Sequence, residues 1–168
     1  MLSGSANNYL YNYAYPGGST ISEAVQYLQR DYIDFQGANT YIWTPVSFNG
    51  PYSMIKNSQY IFDNAQLEAL EGNQKFYTAV GQIMRSFWYG YLTSLYGDIP
   101  YSDAMKAEQG NFMPAYDNQK DIFKGILEDL KSANDVLSQV SSVDGASVSD
   151  IMFQGDALKW RKFANSLR

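Results

Sequence analysis

The segment from Phe76 to Leu95 carries the strongest structural signal in the chain. Its large apolar residues recur at spacings of four, three, four, four and four: Phe76, Val80, Ile83, Phe87, Tyr91 and Leu95. This period places them on one face of an α-helix. A second apolar row follows the same helix: Tyr77, Met84, Trp88 and Leu92. A helix that is apolar around much of its circumference is covered on two sides, so we expect it at the centre of the fold.

Signals for helix ends lie on both sides of this segment. Gly97 and Pro100 predict that the central helix ends at about Tyr96. Before it, Pro51 suits a first helical residue, and the apolar residues over 54–65 share one face. These features predict a helical hairpin over 51–96.

A long connection without helical period, 98–116, precedes a second strong helix, which Asp117 is expected to cap. One face of that helix is apolar: Ile122, Ile126, Leu130, Ala133 and Leu137. Asp156 is expected to open a last helix, whose apolar face still continues at Arg168. We therefore expect this chain to be the amino-terminal part of a longer protein.

Two helix pairs, 51–96 and 117–168, thus follow one another along the chain. They have the size of repeats that stack in α-solenoids, although the tetratricopeptide signature itself is not matched. We predict an all-α fold, a TPR-like α-solenoid or helical-hairpin bundle with long aromatic-rich loops, as a single domain over 1–168.

The first 50 residues differ from the rest in their Tyr content. Tyr alternates with other residues over 9–15, which favours an extended arm, and apolar spacing predicts a helix over 21–33. The segment 36–50 contains Trp43 among Gly, Asn and Pro residues and suits an irregular loop.

The composition excludes most catalytic chemistry. The chain has no His and no Cys, which removes His-dependent triads, thiol catalysis and the usual zinc sites. A net charge of −5 argues against nucleic acid as a partner. We predict no cofactor and no metal, and we find no targeting or membrane-spanning segment in the sequence.

Paired carboxylates remain as a route to catalysis because the chain has 17 acidic residues. Asp121, Glu128, Asp129 and Asp135 fall on the polar face of one helix, which favours a solvated role for them. An acid-pair hydrolase is therefore the weakest of the functional interpretations.

Two runs of sequence resemble the SusD/RagB family of outer-membrane nutrient-binding lipoproteins. The first is RSFWYGYLTSLYGDIPY over 85–101, an Arg and several aromatic residues before a Tyr-Gly-Asp-Ile-Pro exit. The second leads from Tyr116-Asp117 through ILEDL at 126–130 to GDALKW at 155–160 and KFANSLR at 162–168. The order and spacing of these runs are similar to those of the family's sequence motifs. The resemblance is strong for residues 50–168 and weak for the Tyr-rich start.

The resemblance implies a non-enzymatic protein on the outward face of the outer membrane of Bacteroidetes-type bacteria. Such a protein captures oligosaccharides or other nutrients and covers a SusC-like TonB-dependent transporter. Family members are normally several times longer and carry a lipidated Cys after a signal peptide. The membrane attachment that the resemblance implies would therefore depend on a lipid anchor missing from this chain.

Five residues are the candidates for glycan contact. Trp43, Tyr101 and Phe112 are predicted stacking platforms, and Asn111 and Asp103 are predicted partners for sugar hydroxyls. Each aromatic residue has a structural alternative: Trp43 as a core residue beside Pro45, and the other two as loop anchors. We expect Arg85, on an otherwise apolar helix, to pair internally with a carboxylate or carbonyl groups. The alternative function is a helical-repeat protein-interaction module that does not bind glycans.

Overall fold

The computed structural model describes residues 49–140, 143 and 150–168, which all belong to one compact unit, Phe48–Arg168. The predicted Tyr-rich arm, the helix over 21–33 and Trp43 lie outside the described residues.

Four α-helices account for most of the described residues: α1 (Asn49–Asn64), α2 (Glu71–Tyr96), α3 (Gln119–Leu137) and α4 (Ala157–Leu167). Short 3-10 turns follow α1 at Ala65–Leu67 and interrupt the α2–α3 loop at Ala107–Gln109. An isolated antiparallel bridge joins Ile99 to Asp117. The all-α prediction is confirmed. Of the helices in this part of the chain, none combines the length and the apolar character that crossing a membrane requires.

Helix α2 is the centre of the unit, with α1 and α3 packed along it. The predicted residues Phe76, Val80 and Ile83 are buried, but Leu95 is 50% exposed. Leu95 follows Ile83 by three steps of four residues. Because an α-helix has 3.6 residues per turn, these steps place the Leu95 side chain about 120° around the helix axis from that of Ile83. The buried face of the last turns consists of other residues: Trp88, Tyr89, Leu92 and Thr93.

A glycine sets the distance between α1 and α2. A Cβ on Gly81 would lie 2.8 Å from the backbone nitrogen of Phe62 and 2.9 Å from its Cβ. Only a residue without a side chain permits backbones to approach so closely. Gly90, two and a half turns further along the same helix, faces more open space, since its Cβ would meet only Ile126 Cδ1 at 3.9 Å.

The second helix pair follows the predicted pattern. All five predicted apolar residues of α3 are buried: Ile122, Ile126, Leu130, Ala133 and Leu137. Helix α4 buries Trp160 and Ala164. Asp156 caps α4 as predicted, because its side chain accepts a hydrogen bond from the Lys159 backbone nitrogen.

A buried carboxylate, Asp150, holds the start of α4 against the preceding connection. It accepts hydrogen bonds from the Trp160 indole nitrogen at 2.7 Å and from the backbone nitrogens of Met152, Phe153 and Gly155. Burial pushes the pKa of Asp150 upward, but these four donors outweigh burial and hold it below its ordinary value. The sequence pattern of a Ser- and Gly-rich loop did not predict this role.

Replacing Gly81 by Ala is expected to destabilise the chain by about 1–3 kcal/mol, because α1 and α2 must separate to admit the methyl group. Gly90→Ala is the matched control in the same helix, and it is expected to be neutral or stabilising by up to about 1 kcal/mol. Urea unfolding measures both changes. Equal effects of the two substitutions would contradict the close contact at Gly81.

Asp150→Asn is expected to lower the stability at neutral pH by about 2 kcal/mol, since hydrogen bonds to a charged acceptor are lost. A carboxyl whose folded pKa is depressed stabilises the fold above its unfolded pKa of about 3.9, and this contribution disappears as the pH falls through the folded pKa. The wild-type chain therefore loses more stability between pH 5 and pH 3 than Asp150→Asn does. Thermal unfolding across this range measures the difference, with the exposed Asp135→Asn as control.

Candidate functional site

The connection between α2 and α3 is a loop closed at its base. The backbone nitrogen of Asp117 donates to the Ile99 carbonyl at 3.0 Å. The Asp117 carboxylate accepts from the backbone nitrogens of Tyr101 and Ser102 at 2.9 and 2.8 Å, and from the Ser102 hydroxyl at 2.8 Å. The loop 99–117 therefore leaves and re-enters the helical core at one place. We call this place, formed by Ile99, Tyr101, Ser102 and Asp117, the loop neck.

The role of Asp117 differs from the predicted one. Asn118 caps α3, with its side chain accepting from the Lys120 backbone nitrogen, whereas Asp117 binds the other end of the loop. Burial raises the pKa of Asp117, but the hydrogen bonds from Ser102 and Tyr101 dominate and hold the pKa below its usual range. The carboxylate therefore stays charged and keeps the loop neck closed at neutral pH.

Contacts from all three neighbouring helices attach the loop neck to the core. The Tyr52 hydroxyl of α1 donates to the Pro100 carbonyl at 2.7 Å. Asp98 accepts from the backbone nitrogen of Gln119, whose side-chain amide donates to the Thr93 carbonyl at 2.6 Å. The start of the loop thus has a defined position relative to α1, α2 and α3.

A cavity of about 600 Å³ lies where this loop meets the three helices. Most of the residues that line it carry a polar group: Gln59, Asp63, Arg85, Tyr89, Tyr101, Ser102, Lys106, Gln109 and Asp129. The remaining lining residues are Ala104 and Met105. Its volume falls within the range of about 300–1,000 Å³ typical of small-molecule sites.

Arg85 connects the three helices at the cavity. Its guanidinium donates to Asp129 of α3 at 2.7 Å and to Gln59 of α1 at 2.8 Å, and it lies 5.2 Å from the centroid of the Phe62 ring. The prediction that Arg85 pairs internally with a carboxylate is confirmed. The prediction of a solvated role for Asp129 is wrong, because its side chain is only 22% exposed and is paired with Arg85.

Two tyrosines form the aromatic part of the cavity wall. Tyr89 and Tyr101 pack edge to face, with their ring centroids 4.7 Å apart. Burial, followed by the negative charge of Asp129, raises the pKa of Tyr101 to about 12, and burial also raises the pKa of Tyr89. Both hydroxyls therefore stay protonated at neutral pH. A Cβ on Gly125 would lie 2.6 Å from the Tyr101 hydroxyl oxygen, so glycine at 125 leaves the room that this ring occupies.

The structure separates the predicted site residues. Tyr101 lines the cavity and contacts Tyr89, whereas Asp103 forms an ion pair with Lys106 at 2.8 Å beside it. Asn111 is half-buried and Phe112 is 79% exposed, and neither lines the cavity.

Sequence reasoning missed the other cavity residues, of which Gln59, Tyr89 and Asp129 are the most important. Each lies on a helix. The neighbouring residues in the sequence do not show whether such a position is buried in the core, exposed to solvent or part of a cavity wall. Within the described part of the chain, no group of three or more acidic side chains is arranged to hold a metal ion.

The fold is an all-α arrangement of helical hairpins, and its two sequence runs resemble the SusD/RagB family. The family model described as starch-binding associating with outer membrane matches residues 3–168. The chain belongs to this SusD-like family.

Solved structures agree with this assignment. A SusD homologue from Bacteroides fragilis is 35% identical with a TM-score of 0.62, over 83% of this chain and 28% of that one. A candidate outer-membrane protein with a suggested role in nutrient binding, from Bacteroides vulgatus, is 28% identical with a TM-score of 0.66, over 96% and 33%. A SusD/RagB family protein from Bacteroides thetaiotaomicron is 30% identical with a TM-score of 0.61, over 72% and 24%.

The chain therefore spans about a quarter to a third of the length of these structures. No curated protein matches the chain significantly. That the chain is the amino-terminal part of a longer protein stays a prediction.

Asp117→Ala is expected to open the loop neck and leave the helices in place. Three hydrogen bonds to a charged acceptor disappear, so amide hydrogen exchange at Tyr101 and Ser102 should rise by roughly tenfold or more, while α2 and α3 keep their protection. Hydrogen exchange with mass spectrometry measures this. Asp103→Ala is the control in the same loop, because it removes only an exposed ion pair with Lys106. Unchanged exchange in Asp117→Ala would contradict the closed neck.

Proposed function

We propose that this chain binds glycans or related nutrients at the outer face of the outer membrane, for delivery to a SusC-like TonB-dependent transporter. The observation that carries the proposal is the family match over residues 3–168, whose description is starch-binding and outer-membrane association. The solved relatives support it, since one of them has a suggested role in nutrient binding at the same membrane.

The exposed end of the α2–α3 loop supports the proposal physically. Phe112 and Met113 are 79% and 91% exposed, and Tyr116 is 67% exposed. Exposed aromatic rings offer apolar faces against which the apolar faces of sugar rings can stack, and Asn111 beside them offers an amide for hydroxyl groups. The closed loop neck supports the same interpretation, because a loop with fixed ends loses less conformational freedom when it binds.

Binding without catalysis is part of the proposal. The two carboxylates that line the cavity already have partners: Asp129 pairs with Arg85, and Asp63 accepts a hydrogen bond from Gln59. Glycoside hydrolysis needs one carboxylic acid with a raised pKa opposite a carboxylate. The described acidic residues with shifted pKa values all shift downward: Glu71, Asp117, Asp121, Asp150 and Asp156.

A protein-interaction module is the second candidate. Apolar side chains of α3, of the α3–α4 connection and of α4 favour it: Phe123, Leu127, Ile151 and Leu158 are between 39% and 69% exposed. Exposed apolar groups of this kind occur at protein contacts. Under this alternative the chain binds a protein surface and has no affinity for polysaccharide.

Affinity electrophoresis in gels that contain soluble starch or other polysaccharides tests the proposal. We expect retardation by at least one polysaccharide, and we expect Phe112→Ala to weaken the apparent affinity roughly three- to tenfold, the scale of one lost aromatic contact. Tyr60→Ala, at a 69% exposed ring on α1, is the matched control and should behave like the wild type. Absence of retardation across a broad panel of polysaccharides would count against glycan binding and for the protein-interaction alternative.

A further inference from the structure

One part of the cavity wall is formed by the α2–α3 loop, and the rest is formed by helices. The lining residues that belong to the loop are Tyr101, Ser102, Ala104, Met105, Lys106 and Gln109. The remaining lining residues lie on α1, α2 and α3. The position of the loop relative to the helices therefore determines how open the cavity is.

The attachment of the loop to the rest of the described structure is concentrated at the loop neck, where Asp117 binds Tyr101 and Ser102. Between these points, over residues 103–116, the hydrogen bonds and the ion pair join loop residues to one another, and none reaches a described residue of a helix. None of the residues 103–116 is buried. A segment with few buried groups and no hydrogen bonds to its surroundings opens at a small cost in free energy.

The segment 103–111 is held together by its own contacts. The Lys106 carbonyl accepts hydrogen bonds from the backbone nitrogens of Gln109 and Asn111, each at 3.1 Å. The Lys106 ammonium group pairs with Asp103 at 2.8 Å. Because these contacts lie within the segment, they are kept when the segment changes its position relative to the helices. The segment can therefore move as one body.

Met105, which lines the cavity from this segment, has a strained backbone. Its φ of 62° lies in the left-handed region, which a residue with a side chain adopts only at a cost in free energy. Such a conformation persists where the surrounding structure enforces it. Met105 is only half-buried, and no hydrogen bond from a described helix holds its segment in place. The strain therefore brings the observed position close in free energy to one with a relaxed backbone.

We propose that the segment 103–111 is a lid that pivots on the loop neck and controls access to the cavity. The observed position is the closed one, and in the open one Met105 returns to a negative φ. A molecule that contacts both the lid and the helical part of the wall binds the closed position more strongly, and it therefore shifts the population towards that position. The proposal concerns access to the cavity, whichever ligand enters it, and so goes beyond the proposed function.

Distances between two spin labels, measured by double electron–electron resonance on the free chain, test the lid. The chain has no Cys, so the labels attach only to introduced Cys residues. The lid pair is Glu108→Cys with Lys56→Cys on α1, and the helix pair, which serves as the control, is Lys56→Cys with Lys131→Cys on α3. All three positions are exposed. We expect two distances for the lid pair and one narrow distance for the helix pair.

Substitutions of Met105 change the balance between the two positions. A β-branched residue is especially disfavoured at positive φ, so Met105→Val is expected to raise the ratio of open to closed lid roughly tenfold. Met105→Gly is expected to lower this ratio, because glycine adopts positive φ readily. Met113→Val makes the same change at a 91% exposed residue of the same loop, and it should leave the ratio unchanged. The helix pair shows in each variant that the helices keep their positions.

The lid is supported by two distances whose ratio rises in Met105→Val and falls in Met105→Gly. A single distance for the lid pair, as narrow as that of the helix pair, overturns it. A distribution that neither substitution of Met105 changes also overturns it, because the strained turn then has no part in the position of the loop. The measurement contains no ligand, so failure of the lid leaves the proposed glycan binding standing, and that proposal fails separately if polysaccharides do not retard the chain.

Discussion

Burial of α2 between α1 and α3 is the constraint on which the rest of the structure depends, because this one helix carries both the core and two cavity residues. Phe76, Ile83 and Leu92 are fully buried in it, and Arg85 and Tyr89 reach the cavity from the same helix. The close approach at Gly81 brings α1 near enough for Gln59 to meet Arg85. Packing of apolar side chains therefore sets the positions of polar ones.

The loop neck fixes the two ends of the α2–α3 loop relative to the packed helices. Asp117 ties the two ends of the loop together, and Tyr52 and Gln119 tie the neck to neighbouring helices. A segment of this length without such contacts would adopt many conformations, and ordering it on binding would cost affinity. The exposed ring of Phe112 therefore lies on a loop whose two ends have fixed positions relative to the helices.

Two chemically different surfaces thus lie on the α2–α3 loop and at its base. The exposed end of the loop has aromatic and apolar groups, and the cavity at its base has the Arg85–Asp129 ion pair and two tyrosine rings. A surface that combines stacking with hydrogen bonding suits ligands with apolar ring faces and polar edges. This combination agrees with membership of a family described as starch-binding.

Apolar spacing along the sequence was enough to predict the described helices, their order and the buried face of α3, because the period of an α-helix is a local property. It failed at Leu95, where steps of four residues rotate away from the core. The sequence runs around 85–101 and 155–168 also identified the family, which the match over residues 3–168 confirms.

The cavity was decided by the tertiary structure. Its central contacts join Arg85 to Gln59 and Asp129, which lie 26 and 44 residues away along the chain. No local pattern distinguishes Asp129 from the solvated acids on the same helix, and only the packing of α3 on α2 gives it a cation as a neighbour. Helix formation depends on neighbours in sequence, whereas a polar site depends on which helix faces touch.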